Sequence, residues 1–217
     1  MKKSVLRSFI ITATLIFALS LNQSCKKDCP EPECDTCLIA YKPNIYFFPE
    51  QDIHIDVKLD FPLGGEVIKS EPYYNNGWSV TIDKTGLIEG TYDFLFYESI
   101  QPDVWQYEKG WLVEREMLKT FFEENLNEYG FREKEIDDFI EYWIPKFNKS
   151  AYYLIYPQEK EIIESVISLS LSTEPDNILR LHYVIKETDD ENVNVVAPVI
   201  PEFKREGFFV TEWGVIL

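Results

Sequence analysis

Four cysteines, Cys25, Cys29, Cys34 and Cys37, stand within thirteen residues, and the rest of the chain contains none. Thiols at such spacings serve several chemistries. The run C-x4-C-x2-C from Cys29 to Cys37 has the spacing of the first three ligands of a plant-type iron–sulfur site, but the fourth, downstream ligand does not exist here. A zinc site would have to borrow Cys25. Cys34-Asp-Thr-Cys37 has redox-dithiol spacing, yet it lies in a Pro- and Glu-rich stretch and not at a strand–helix turn. In an oxidising compartment, one disulfide and one spare thiol among Cys29, Cys34 and Cys37 is the simplest expectation. No metal and no cofactor is expected.

The other reactive side chains are sparse or scattered. The chain holds two histidines and 38 acids. Asp52, His54 and Asp56 share one face of a predicted strand, but alternate residues on a strand lie nearly ~7 Å apart, so a solvated face is expected over a metal site. His182, beside Arg180, reads as a surface histidine on the polar side of its own strand. Glu98 and Glu212, each next to aromatic residues, are the pair that a glycosidase-like mechanism would use. Trp78, Trp105, Trp111, Tyr73 and Tyr74 flank turns and offer either a stacking platform for sugar or peptide or ordinary core. No G-x-S-x-G, H-E-x-x-H, glycine-rich phosphate loop or Ca²⁺ loop is present.

What places these groups begins at residue 1. Lys2, Lys3 and Arg7 precede an apolar run from Phe9 to Leu21. As a helix that run rises about 20 Å, short of the roughly 30 Å of a bilayer core, and so reads as an export signal over a permanent span. Its end, "LNQSC" (21–25), resembles the lipobox of bacterial lipoproteins. The resemblance implies cleavage before Cys25, a diacylglycerol on its thiol, and usually an acyl chain on the new amino group. Two or more chains hold a protein firmly to a bilayer. "KKD" (26–28) weakly resembles a signal that directs some lipoproteins to the cell surface. Residues 1–24 are then the signal peptide and 25–42 a lipidated, Pro/Glu/Cys-rich tether. Fully extended, residues 26–42 reach about 60 Å at most.

Loss of residues 1–24, which carry three positive charges and no acid, takes the formal charge from −17 to −20. So acidic a chain repels nucleic acid and anionic lipid heads, which leaves the lipid as the membrane link and excludes nucleic acid as a partner. Hydrophobic residues at 45% exclude disorder, and aromatics at 15% can fill a core. Residues 43–217 fit one domain.

Within it, 52–61 alternates as a half-buried strand, "YYNNGWSVTID" (73–83) signals a tight turn at Asn-Gly, and 91–99 reads as a central strand. Short connections make this half antiparallel. Apolar stripes at helical spacing predict helices over 114–130, stopped by Gly130, and 133–147, ended or kinked by Pro145. Strand character returns over 150–157, 164–173, 178–187 and 207–217, with a rim loop at 187–202. The result is an α+β fold: a mostly antiparallel sheet or sandwich with a helical hairpin (about 114–147) packed on it.

"KPNIYFFPE" (42–50), "YNNGW" (74–78), "YWIPKF" (142–147) and "FFVTEWG" (208–214) together resemble signature stretches of an uncharacterised family of exported bacterial proteins. That resemblance implies one intact domain and no catalytic residue. The expected protein is lipid-anchored at Cys25 in the cell envelope, at the outer membrane, with a binding or structural role toward a protein or glycan. A hydrolase using paired carboxylates is the alternative.

Overall fold

Two layers of β-structure and one of helix form the described part of the chain, residues 37–217 of a computed structural model. Seven strands make the central sheet: β1 (Cys37–Phe48), β3 (Glu66–Glu71), β5 (Leu95–Pro102), β6 (Trp111–Glu114), β7 (Tyr152–Glu159), β9 (Asn177–Thr188) and β10 (Phe209–Ile216). Their order is β3-β5-β1-β10-β9-β7-β6. Every neighbouring pair is antiparallel except β9 and β10, which run parallel. A second sheet has the order β4-β2-β8, from β2 (Ile53–Asp60), β4 (Trp78–Ile82) and β8 (Ser168–Leu171).

The helices α1 (Leu118–Tyr129) and α2 (Glu133–Trp143) cover one face of the central sheet, and the small sheet with α3 (Lys160–Val166) covers the other. Side chains on a strand alternate between faces, and β9 shows what this demands. Leu179, Leu181, Tyr183 and Ile185 meet the helices, whereas Ile178 and Val184 meet the small sheet. Both faces are therefore covered.

Each helix has a local cause. Leu118, Phe122, Leu126 and Tyr129 recur at three- and four-residue steps and are buried. Gly130, at φ 113°, ends α1 by turning its N–H back to Leu126 and Asn127. The Glu135 carboxylate begins α2, accepting the Arg132 N–H at 2.7 Å. Trp143 is the last residue of α2, and Pro145 falls in the 3-10 turn that follows.

Two expectations are corrected, and one strand carried no expectation. The tether was expected to run to residue 42, but β1 starts at Cys37, and Cys37–Ala40 pair with β5. Residues 164–173 are not one strand, because Ile163, Val166 and Ile167 are buried at helical spacing and close α3 before β8 begins. The edge strand β3 went unread, since Glu66–Glu71 carries only Val67 and Ile68 as apolar residues. Asn76 and Gly77 do turn, with φ of 58° and 146°, but they lead from one sheet to the other and close no hairpin.

Phe122 is fully buried, and its ring contacts Phe121, Phe139, Phe147 and Tyr183. Phe122→Ala should cost about 3–5 kcal/mol in urea unfolding. A loss below about 1 kcal/mol would show that the helical layer is not packed on β9 as described.

Candidate functional site

Two gatherings of polar side chains bear on function, one mostly enclosed and one open. The enclosed one lies between the sheets, on the face of β9 and β10 opposite the helices. Arg180 and Glu212 are register partners in the parallel pair, and both are buried. Arg180 Nε donates to Glu212 Oε2. The other carboxylate oxygen accepts the Tyr97 hydroxyl at 2.6 Å and lies 3.2 Å from His182 Nε2. Arg180 Nη1 reaches Glu164 and the Ile167 carbonyl, both at 2.7 Å. Close approach is possible because residue 214 is glycine. A Cβ there would stand 3.0 Å from the His182 ring and 3.1 Å from Pro43.

His182 is thus no surface histidine: the sequence reading is corrected to a buried one. Alternating polarity signals a wet face only when the polar groups lack partners, and here they neutralise one another. Burial lowers the His182 pKa, with the Glu212 hydrogen bond opposing, so the imidazole is held neutral. Burial would push Glu212 up, but the Arg180 charge and the His182 hydrogen bond outweigh it and hold the carboxyl well below its usual range. Arg180 Nη2 and His182 Nδ1 have no hydrogen-bond partner among the described residues. This cluster has the residue types of an acid–base site, with Arg180, His182 and Glu212 enclosed and Glu164 reaching the surface.

The open place lies where β1 breaks its own ladder. Pro43 has no N–H to give a neighbour, and the register with both β5 and β10 shifts between residues 40 and 44. Lys42 takes the left-handed conformation at φ 51°, which costs a non-glycine residue free energy. Its ammonium then sits among three rings, 4.9 Å from Phe94, 4.8 Å from Phe96 and 5.1 Å from Tyr142. It makes no hydrogen bond or ion pair among the described residues. Burial lowers its pKa, Asp138 opposes, and nearby Lys69 adds to the lowering.

A cavity of about 370 Å³ opens here between β1 and the end of α2. Lys42, Asn44, Phe94, Asp138, Tyr142 and Lys146 line it. Asn44 is fully buried. Its Nδ2 donates to the Tyr46 hydroxyl at 3.2 Å, which donates to Asp138 at 3.0 Å, while its Oδ1 is enclosed with no hydrogen-bond partner among the described residues. Two stretches singled out in the sequence, 42–50 and 142–147, therefore meet at one cavity.

Other expectations resolve differently. Cys25, Cys29 and Cys34 lie outside the described residues, and Cys37 is disulfide-bonded. Glu98 pairs with Lys69 at 3.5 Å and, by strand alternation from Tyr97, points to the face opposite Glu212, so these two carboxylates share no cleft. His54, exposed on β2, lies 3.1 Å from Ser79 Oγ, which donates to Asp56 at 2.6 Å, and Asp52 accepts the Lys84 N–H. Among the described residues no group of three or more His, Cys, Asp or Glu could hold a metal ion. Trp78 and Trp105 are buried, Tyr74 packs edge-on to Trp78, and Trp111 packs on Phe121. Of the five aromatics considered as a platform, only Tyr73 stands well out into solvent.

Two signals could have drawn attention to these places. One is Arg-x-His on a strand read against Glu-x-Gly on another; the second is a Lys-Pro inside an otherwise apolar strand.

The neutral His182 has a stability consequence. The unfolded chain binds a proton there near the ordinary pKa of 6.5, and the folded chain binds it only at lower pH. The unfolded state then holds more protons, so stability is fully present above that value and falls as pH drops from 7.5 to 5.5. Glu212 extends the loss below 4.5, while Glu135 and Glu159, raised by burial, work against it. Comparison with His182→Gln isolates the histidine: the wild type should lose up to about 1.4 kcal/mol per pH unit more than the variant in urea titrations. Equal pH slopes would mean that the imidazole titrates normally in the folded chain. Comparison with family models, with curated proteins and with solved structures finds no match for this chain.

Proposed function

We propose that this chain is a lipid-anchored protein of the bacterial cell envelope, held at Cys25, whose folded domain binds a ligand outside the cytoplasm. The single observation that carries the binding role is the Lys42 cavity. There the Lys42 ammonium, held among three aromatic rings with no ion pair among the described residues, meets a cavity of about 370 Å³. Holding a half-buried ammonium without a direct partner costs free energy, which contact with a ligand would offset. The anchor rests on the basic start, the short apolar run and the cysteine of "LNQSC". No helix of the described residues is long and apolar enough to cross a membrane.

The hydrolase reading keeps one supporting observation. Glu159, pushed up by burial despite its hydrogen bond from Tyr129, shares a cavity of about 280 Å³ with Glu108. A carboxyl with a raised pKa in a cavity that a second carboxylate also lines is the minimum for general acid–base work. Nothing comparable surrounds Glu135, whose oxygens are taken by Thr211, Arg205 and the Arg132 N–H.

Metabolic labelling with a radioactive fatty acid, followed by protease treatment of intact cells, tests the anchor. Label should enter the wild type and be absent from Cys25→Ala. Release of the domain by protease would place it on the outer surface, and protection would place it in the periplasm. A wild type that takes up no label refutes the anchor.

A further inference from the structure

The small sheet ends at β8, which pairs with β2 along one side and with no strand along the other. The Ser172 N–H donates to the Asp56 carbonyl at 2.9 Å. Along an antiparallel ladder, residues that bond across alternate with residues that do not. Ser170 and Ser168 therefore turn their backbone groups to β2, while Leu169 and Leu171 turn theirs outward. Glu164 bears out that direction by accepting the Leu169 N–H at 3.2 Å. The Leu169 carbonyl and both backbone groups of Leu171 make no hydrogen bond among the described residues.

These groups border a cleft of about 720 Å³ between the small sheet and the start of β9, with Leu169, Leu171, Ile178 and Phe203 as its apolar lining. We propose that this cleft takes an extended, basic peptide of another protein, which adds a strand to β8. The cleft shares no lining residue with the Lys42 cavity, and its use does not depend on that site.

Backbone groups that face outward at strand spacing are matched by another backbone, with side-chain pockets supplying selectivity. Charge then selects among peptides. Glu164, Glu174, Asp176 and Glu202 line the cleft against Lys160 and Lys204, and Arg180 beside them is balanced by Glu212. Glu174 and Glu202 make no ion pair among the described residues. An adjoining cavity, which shares Lys160, Ile178, Glu202 and Phe203, adds Glu159 and Glu161 and no further lysine. This excess of acid draws Lys and Arg side chains. It also disfavours a second copy of the chain, since β8 on β8 would bring a second set of the same acids to the cleft.

The test measures fluorescence anisotropy of a labelled decapeptide of alternating Val and Lys with the full chain purified in non-ionic detergent. A counterpart of alternating Val and Glu should bind about tenfold or more weakly. Two further peptides carry N-methyl groups, one on every Val nitrogen and the other on every Lys nitrogen. Only one of these sets faces β8 in an added strand, so one methylated peptide should lose about tenfold or more in affinity and the other should keep it. Leu171→Pro removes the outward N–H, leaves the ladder to β2 intact and should weaken the Val-Lys peptide by as much. Glu174→Gln combined with Glu202→Gln should also weaken it, without touching a backbone group. Thermal midpoints show whether the variants fold; if Leu171→Pro does not, the double Gln variant and the methylated peptides decide. Methylated peptides that bind alike reduce the contact to charge adhesion and overturn the proposal. Selective blocking that survives every folded variant places the strand at another edge, which also overturns it. So does a Val-Lys peptide that does not bind.

Discussion

A carboxylate enclosed between two sheets must be neutralised where it stands, and Glu212 imposes that condition on much of this fold. Removing a carboxylate and a guanidinium from water costs several kcal/mol each, which mutual attraction offsets only when geometry and remaining hydrogen bonds are good. Here they are supplied from four directions: Arg180 alongside on β9, Tyr97 from β5, His182 from one step further along β9, and Glu164 with the Ile167 carbonyl from the small layer. A register slip of one residue between β9 and β10 would turn one charge toward Phe122 and Phe139 and leave the other unpaired. Arg180 also ties the central sheet to α3 and the residue that leads into β8. One guanidinium thereby sets both the strand register and the seating of the second layer.

The Lys42 bulge follows the opposite policy. Around Glu212 nearly every polar atom has a partner, and the two orphans are sealed from solvent. Around Lys42 the ladder is interrupted by a proline, the backbone adopts a disfavoured conformation, and the side chain it displays has aromatic neighbours but no ion pair among the described residues. A strand that gives up pairing in the middle of a seven-stranded sheet needs a compensating reason. Local frustration at an accessible place and full satisfaction at an enclosed one is the pattern expected where a rigid frame presents a site.

Much of this frame could be read from residue order, and the failures have physical causes. β2 was legible because one face is wet, so Ile55, Val57 and Leu59 alternate with exposed charged residues and His54. The helices were legible because Phe122, Leu126 and Phe139 repeat at helical steps. The outline as α+β, with a hairpin of helices on a mostly antiparallel sheet, followed from those patterns and stands. β9 misled because its polar residues face a second layer and are satisfied by residues far away in sequence, a pairing that periodicity cannot express. α3 was too short to show a stripe, and β3, at an edge, had little to bury. The Lys42 cavity is not legible in residue order at all, since only the fold brings residues 42–44 beside 142–146.

The placement of β10 carries a kinetic consequence. It lies at the centre of the sheet, with Ala40 of β1 opposite Ile216, so the earliest and latest of the described strands are immediate neighbours. Contacts of such long sequence separation form slowly, because the intervening loop must close before any pairing rewards it. Until β10 leaves the ribosome, β1 and β9 have no partner between them and the Glu212 charge is missing from the core. The central sheet therefore cannot close before β10 is made, however early β1 and β5 pair.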